Sequence, residues 1–171
     1  HSDPGATLSG ADGAEFVLRP TQIASCGVTA LGYREGVERV VGLVGEAADR
    51  YGLGELWVED ITLVAVWDVE DPDAARTLLA DEVLGVDAER LGLLGAGEVS
   101  LGLRIWQRSG EASLEVAIEP MHAEPSKVYI RVVQTLGEAL PDAAALREAA
   151  DAVHDHLAGP LRAFMMARSR R

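Results

Sequence analysis

The sequence predicts an α+β fold with two layers, in which a mainly antiparallel sheet carries helices on one face and a long C-terminal helix. Three observations predict it. Hydrophobic residues form 48% of the 171 positions, enough for a real core. Helical spacing of apolar residues occurs early and at the end of the chain, and consecutive strand patterns lie between. The predicted order of elements is β-α-β-α-β-β-β-α, which fits a two-layer sheet better than a doubly wound one.

The N-terminal part is predicted to start with a segment that does not belong to the core. Residues 1–14 are rich in Gly, Ser and Asp, which indicates a flexible lead-in or a segment added for expression. Residues 15–171 are predicted to be one domain. Residues 15–33 are β-forming, and Pro20 should divide them into two short strands or an edge strand. Cys26, the one cysteine, is predicted to be a buried structural thiol, because no histidine is near it in sequence.

A helix and a strand are predicted next. The helix spans residues 35–51, and Gly52 should end it. Its apolar stripe consists of Val37, Val40, Val41, Val44, Ala47, Ala48 and Tyr51. Residues 56–69 are rich in β-branched and aromatic residues and are apolar on both faces, which predicts a central strand covered on both sides.

The second helical region has strong start signals. Asp71 is the predicted N-cap and Pro72 the first helical residue. The predicted buried stripe consists of Ala75, Leu78, Leu79 and Val83. Asp87 should cap a further short helical turn.

A β-hairpin over residues 99–118 is predicted from side-chain alternation and turn chemistry. A two-residue turn at Ser109-Gly110 would place Ile105 opposite Leu114 and Arg104 opposite Glu115. The next strand places Val128, Ile130 and Val132 on one side and completes a meander.

The last helix is predicted to begin near Pro141-Asp142. Its buried stripe consists of Leu146, Ala149, Ala150, Val153, Leu157, Leu161 and Phe164. Pro160 removes a backbone donor and crowds the preceding turn, so the helix should kink or break there.

The segments "LEVAIEPMHAEPSKVYIRV" at 114–132 and "LREAADAVHDHLAGPLRAF" at 146–164 carry a resemblance. Together they resemble a sporadically distributed family of uncharacterised bacterial proteins, whose closing helix has an internal His and a late Phe. The resemblance implies an α+β domain with a C-terminal helix and implies no activity. The Ala-, Gly-, Glu- and Arg-rich composition also suggests a bacterium of high GC content.

Charge and cysteine usage limit the partners and the compartment. The formal net charge is −13 and the sequence pI about 4.6, so we expect no nucleic acid and no membrane among the partners. The single cysteine fits a reducing compartment, and no apolar run of membrane length occurs, so a cytoplasmic location is expected. Four arginines, Arg162, Arg168, Arg170 and Arg171, are interpreted as a solvated basic end at a helix C-terminus.

The histidines and the missing motifs argue against an obvious active site. No GxxxxGK[ST], GxSxG, HExxH or CxxC motif occurs. His154 and His156 are two residues apart on a predicted helix, so they point about 200° from each other and cannot share a metal ion. They are interpreted as boundary residues, with Asp151 as a hydrogen-bond partner for His154. His122 lies in a loop, where binding residues concentrate, although a loop histidine is more often a solvent-exposed turn residue. We expect no metal and no cofactor, and the sequence favours a non-enzymatic protein.

The candidate binding residues are Arg104, Trp106, Arg108, His122 and His154. Trp106 shares the polar face of the hairpin with the two arginines, where it could cover a third element, line a pocket or lie in an interface.

The leading hypothesis is a non-enzymatic binding or assembly domain whose sheet face around Trp106 docks a protein partner or a second copy, with a homo-oligomer expected. The alternative is a small-ligand-binding protein or enzyme. Its pocket would lie between the C-terminal helix and the sheet, with His154, His122 or Glu119 as polar anchors.

Overall fold

The computed structural model describes the backbone of residues 6–9, 14–19, 22–27, 32–69, 74–95 and 99–167, and side chains from residue 32 onward except at positions 74 and 88. The fold is α+β, as predicted, and combines a four-stranded antiparallel sheet with helices that include a long C-terminal one. The chain divides into two compact units. The first consists of His1–Trp57 with Leu140–Ala150, and the second of Val58–Ala139 with Asp151–Arg171.

The first unit contains a three-stranded antiparallel sheet in the order β1-β2-β3. The strands are β1 Ala6–Ser9, β2 Ala14–Arg19 and β3 Gln22–Gly27. β1 lies inside the predicted lead-in and pairs with β2, so residues 6–9 are part of a sheet. β2 and β3 are the two short strands predicted on either side of Pro20, which is outside the described residues, as is the side chain of Cys26 in β3.

Helix α1, Tyr33–Tyr51, ends at Gly52 as predicted. Gly52 has a φ of 62°, a left-handed conformation that glycine adopts without strain. The Leu53 N–H donates to the Ala48 carbonyl and the Gly52 N–H to that of Asp49, which is the Schellman ending. The predicted stripe is half-buried, except that Tyr51 is 74% exposed because it forms the last turn.

The first unit also holds the start of the long helix α4, Ala143–His156. A Cβ added at Gly45 of α1 would lie 3.4 Å from the Ala143 Cβ, so the two helices approach closely at this glycine. Leu56 and Leu140 exchange two backbone hydrogen bonds of 2.7 and 2.8 Å. Leu146 and Ala150 are buried, as the stripe predicts.

The second unit is built on the four-stranded sheet in the order β4-β7-β6-β5. The strands are β4 Asp60–Asp68, β5 Leu103–Ser109, β6 Ala112–Pro120 and β7 Lys127–Thr135. The predicted meander of the last three is confirmed. The prediction of a doubly covered central strand at 56–69 is wrong. β4 is an edge strand of the sheet. Its burial alternates, and the β-branched residues Val64 and Val66 are on its exposed side.

The hairpin forms, but its predicted register is wrong by two residues. Ser109 pairs with Ala112, and the two-residue loop is Gly110-Glu111. Gly110 has a φ of 63°, and a left-handed glycine at the first loop position is what a type II′ turn requires. Ile105 therefore lies opposite Val116. A shift of two residues leaves every side chain on its predicted face.

The short helices of this unit follow the second helical pattern. α2, Ala74–Thr77, continues as a π-helical turn over Leu78–Val83, and both Ala75 and Leu79 are fully buried. The predicted cap at 71–72 is outside the described residues. α3, Ala88–Gly92, is capped by Asp87 as predicted, since its Oδ1 accepts a 2.8 Å hydrogen bond from the Arg90 N–H.

The C-terminal helix begins after Asp142, whose Oδ1 accepts a 2.8 Å hydrogen bond from the Ala145 N–H. The predicted disturbance at Pro160 takes the form of a π-helical turn, Leu157–Leu161, followed by α5, Arg162–Met166. This wider turn changes which residues face the core. Phe164, predicted to be buried, is 44% exposed, and Met165 is 2% exposed instead.

Candidate functional site

One side of the four-stranded sheet is exposed along the edge strands β4 and β5, is mostly half-buried along β6 and β7, and carries the hairpin residues singled out from sequence. We call it the open face. It consists of the even-numbered residues of β4 and β5 and the odd-numbered residues of β6 and β7. The opposite side holds the core, where Val116, Ile118, Val128 and Val132 are at most 2% exposed. Three large apolar side chains of the open face are half exposed: Trp106 at 56%, Val64 at 55% and Val66 at 50%.

The strand register places the residues of the open face in rows across the sheet. One row runs Thr62, Val133, Glu115, Trp106, from the β4 edge to the β5 edge. The next row runs Val64, Arg131, Ala117, Arg104. Ala117 is only 5% exposed. In this row the small Ala117 side chain lies between the longer side chains of Arg131 and Arg104 on the neighbouring strands.

An ion pair joins the two strands at the β5 edge. The Arg104 Nε lies 3.3 Å from the Glu115 Oε1, and the side chains are 58% and 17% exposed, respectively. The sequence predicts this pairing from direct opposition, whereas Arg104 lies opposite Ala117. The long arginine side chain reaches its partner diagonally, which cross-strand geometry allows. The pair therefore connects β5 to β6 in the two rows that contain Arg104 and Trp106.

The charges of the open face balance, and their sign alternates from strand to strand. β4 contributes Asp60 and Asp68, β7 contributes Lys127 and Arg131, β6 contributes Glu115 and Glu119, and β5 contributes Arg104 and Arg108. Four acidic and four basic side chains thus share a face in a chain whose formal net charge is −13. The face lacks the strong negative charge of the chain as a whole, so it repels an acidic surface less than the rest of the chain does.

Lys127 lies at one end of this face and has a strong local partner. Its ammonium forms an ion pair with the Glu124 carboxylate. The hydrogen bond with Glu124 and then the charge of Glu124 raise the pKa of Lys127, with a further contribution from the charge of Asp68, its cross-strand neighbour. Lys127 is therefore a fixed positive charge near neutral pH.

The structure brings together three of the five candidate residues, Arg104, Trp106 and Arg108, on β5. His122 lies apart from them, exposed in the loop after β6. His154 is half-buried in α4, with its Nδ1 3.6 Å from the Asp155 Oδ1. The sequence interpretation missed Val64 and Val66, because it placed β4 in the centre of the sheet. The β4 sequence alternates weakly and has Asp60 and Asp68 at its ends, and this pattern was the available signal for a strand with one exposed face.

A cleft lies on the other side of the sheet, between the C-terminal helix and the β5–β6 hairpin. It has a volume of about 230 Å³ and is lined by Ile105, Gln107, Leu114, Val116, His156, Pro160, Leu161 and Phe164. The predicted polar anchors of such a pocket, His154, His122 and Glu119, are not in this lining. Glu119 belongs to the open face, and the polar side chains of the cleft are Gln107 and His156.

Two further properties concern the described residues as a whole. They contain no group of three or more His, Cys, Asp or Glu side chains placed to hold a metal ion. No helix within the described ranges combines the length and apolar character needed to cross a membrane.

Comparison with known proteins gives no relative from which a function could be transferred. No protein-family model, curated protein or solved structure matches the chain. The resemblance of residues 114–164 to a bacterial family remains a prediction.

Proposed function

We propose that this chain is a non-enzymatic binding or assembly domain, and that the open face around Trp106 is the surface that docks a protein. The observation that carries the proposal is the exposure of Trp106, Val64 and Val66 on one side of the four-stranded sheet. Exposed apolar side chains grouped with arginines are typical of protein interfaces, in which Trp and Arg are enriched. A solvated sheet face usually carries polar residues at these positions.

The residues next to Trp106 also support docking. Trp106 lies directly opposite Glu115 and two residues from Arg104, and those two side chains hold each other at 3.3 Å. A tryptophan side chain has two rotatable dihedral angles, so ordering it on binding costs little conformational entropy. Large aromatic side chains beside arginines are typical of the anchor residues of interfaces.

The test compares the wild-type chain with Trp106→Asp and Leu93→Asp. Leu93 is 84% exposed and lies just after α3, outside the open face, so its variant controls for the loss of an exposed apolar side chain. Mass is measured by sedimentation for the chain alone and for complexes rebuilt from purified, identified partners. Association that is lost in Trp106→Asp and kept in Leu93→Asp supports the proposal. The proposal fails if no association depends on Trp106.

The second candidate function is small-ligand binding in the cleft beside His156. Gln107 and His156 provide polar groups over an apolar lining, which is the usual composition of a ligand site. The volume of about 230 Å³ is below the roughly 300–1,000 Å³ of typical ligand pockets, so any ligand would be small. Native mass spectrometry tests this function. A retained mass that disappears in Leu114→Trp, which fills the cleft, would favour it over the interface.

A further inference from the structure

We propose that the partner of the open face is a second copy of this chain, packed face to face about a two-fold axis that runs parallel to the strands, so that β4 of each copy lies over β5 of the other. This inference depends on the proposed function, since it names the occupant and the orientation at the same surface. It follows from the charge pattern, from the positions of the apolar residues and from the size of the face.

The charge balance of the open face favours a second copy. Two molecules that each carry a formal charge of −13 repel each other over most of their surfaces. The open face, with four acidic and four basic residues, is a region where that repulsion is relieved. A strongly basic partner would gain more from the acidic surface elsewhere, whereas a balanced face suits a partner that is itself balanced.

The alternation of charge between strands selects the orientation. Across the sheet the strands β4, β7, β6 and β5 carry acidic, basic, acidic and basic residues, in that order. A two-fold axis parallel to the strands, between β7 and β6, places β4 over β5 and β7 over β6 of the second copy. Every strand then faces one of opposite charge. An axis perpendicular to the strands places each strand over its own equivalent, so that like charges meet.

The same orientation places each Trp106 next to an exposed valine of the second copy. Each row then faces the same row of the other copy, so the indole lies over Thr62, with Val64 in the neighbouring row. Both indoles are covered in symmetry-related contacts. Such self-complementarity, in which one patch supplies both halves of each contact, is the property of an isologous dimer.

The size of the face is sufficient for a reversible dimer. Four strands about 4.8 Å apart and about 30 Å long present roughly 500 Å² on each copy. The pair would bury about 1,000 Å² in total, which is below the roughly 1,200–2,000 Å² of stable interfaces and within the range of weak, transient ones. Sheets packed face to face keep their strand directions within about 30° of each other, so the strand-over-strand arrangement is a normal sheet packing.

The test exchanges one charge pair between the two edges. Asp60 and Arg108 lie in the same row at opposite edges of the sheet. In the dimer, Asp60 of each copy should therefore face Arg108 of the other. We compare Asp60→Arg, Arg108→Asp and the double variant by sedimentation over a concentration series, with unfolding curves to verify that each chain folds. Each single variant should raise the dimer Kd by about tenfold or more, because like charges then meet twice in the dimer. The double variant should return to within about threefold of the wild-type Kd.

A mixture of the two single variants provides a second readout, since a heterodimer of the two restores both attractive contacts. The inference is overturned if the wild-type chain is monomeric, if the single variants leave the Kd unchanged, or if the double variant stays as weak as the single ones. The Trp106→Asp variant distinguishes failure of the two-fold dimer from failure of the proposed docking function. Loss of a dimer in Trp106→Asp without charge rescue rejects the orientation and keeps the interface. A wild-type monomer that binds an identified, purified partner through Trp106 rejects the second copy alone.

Discussion

The Arg104 Nε and the Glu115 Oε1 lie 3.3 Å apart although the two residues are not direct cross-strand neighbours, because Arg104 is opposite Ala117 and Glu115 is opposite Trp106. The pair connects β5 to β6 beside the exposed indole. Since Arg104 is 58% exposed, solvent and salt screen the attraction, and the pair should contribute less than a buried one.

A double-mutant cycle with Arg104→Ala and Glu115→Ala should therefore give a coupling free energy of about 0.5 kcal/mol. Urea unfolding in low salt measures it, and the coupling should decrease when salt is added. Arg108→Ala combined with Glu115→Ala is the control. A coupling in that control as large as in the Arg104 cycle would contradict the assigned pairing.

Met165 and Phe164 should differ strongly in their contributions to stability. Met165 is 2% exposed, so Met165→Ala should lower the free energy of unfolding by about 2–4 kcal/mol. Phe164 is 44% exposed, so Phe164→Ala should cost less than about 1.5 kcal/mol. Chemical unfolding of the two variants side by side measures the difference. If Phe164→Ala were the more destabilising variant, the helix beyond Pro160 would continue the regular α-helical spacing and bury Phe164 instead of Met165.

Gly110 should be sensitive to substitution although a side chain there would meet no neighbour. Its φ of 63° is unfavourable for an L-residue, so Gly110→Ala should destabilise the chain by about 1 kcal/mol. Gly54→Ala is the matched control, since Gly54 also has open space around its Cβ position but no left-handed backbone. Thermal unfolding should separate them, and equal shifts of the midpoint would refute the assigned turn.

The Lys127–Glu124 pair predicts the direction in which the free energy of unfolding changes with pH. The raised pKa means that the folded state favours the charged ammonium, first through its hydrogen bond with Glu124 and then through the charge of Glu124. The stabilisation is complete at pH values below the pKa of the unfolded chain and decreases as the pH rises through the folded pKa. NMR titration of the Lys127 side chain should show this pKa move downward in Glu124→Gln. An unchanged pKa would contradict the pairing.

Much of the fold was predictable because local signals agreed with one another. The Gly52 ending, the Asp87 cap and the alternation on β7 are each determined by residues close in sequence. The hairpin shows the limit of prediction from local sequence signals. The sequence correctly predicts which face each residue occupies, since that depends only on parity, but it assigned Gly110 to the second loop position when it is the first.

The candidate site was predictable in part for the same reason. Arg104, Trp106 and Arg108 share a face because they alternate on one strand. The contribution of Val64 and Val66 depends on which strands are at the edges of the sheet, which is set by long-range pairing. Apolar residues on both faces of β4 predict a covered strand, and this signal outweighed the weak alternation between Asp60 and Asp68. Among the described strands, β4 pairs with β7 and lies at the edge of the sheet.

The π-helical turn at Leu157–Leu161 has a consequence for how the length of this helix can vary. The buried positions Val153, Leu161 and Met165 are multiples of four residues apart, whereas a regular helix drifts off a four-residue repeat by about 40° at each step. The wider turn absorbs that drift, in effect accommodating one additional residue. A homologous helix without the π-helical turn would therefore be expected to lack one residue between 157 and 161, since that deletion keeps the positions of Val153 and Met165 on the same side of the helix.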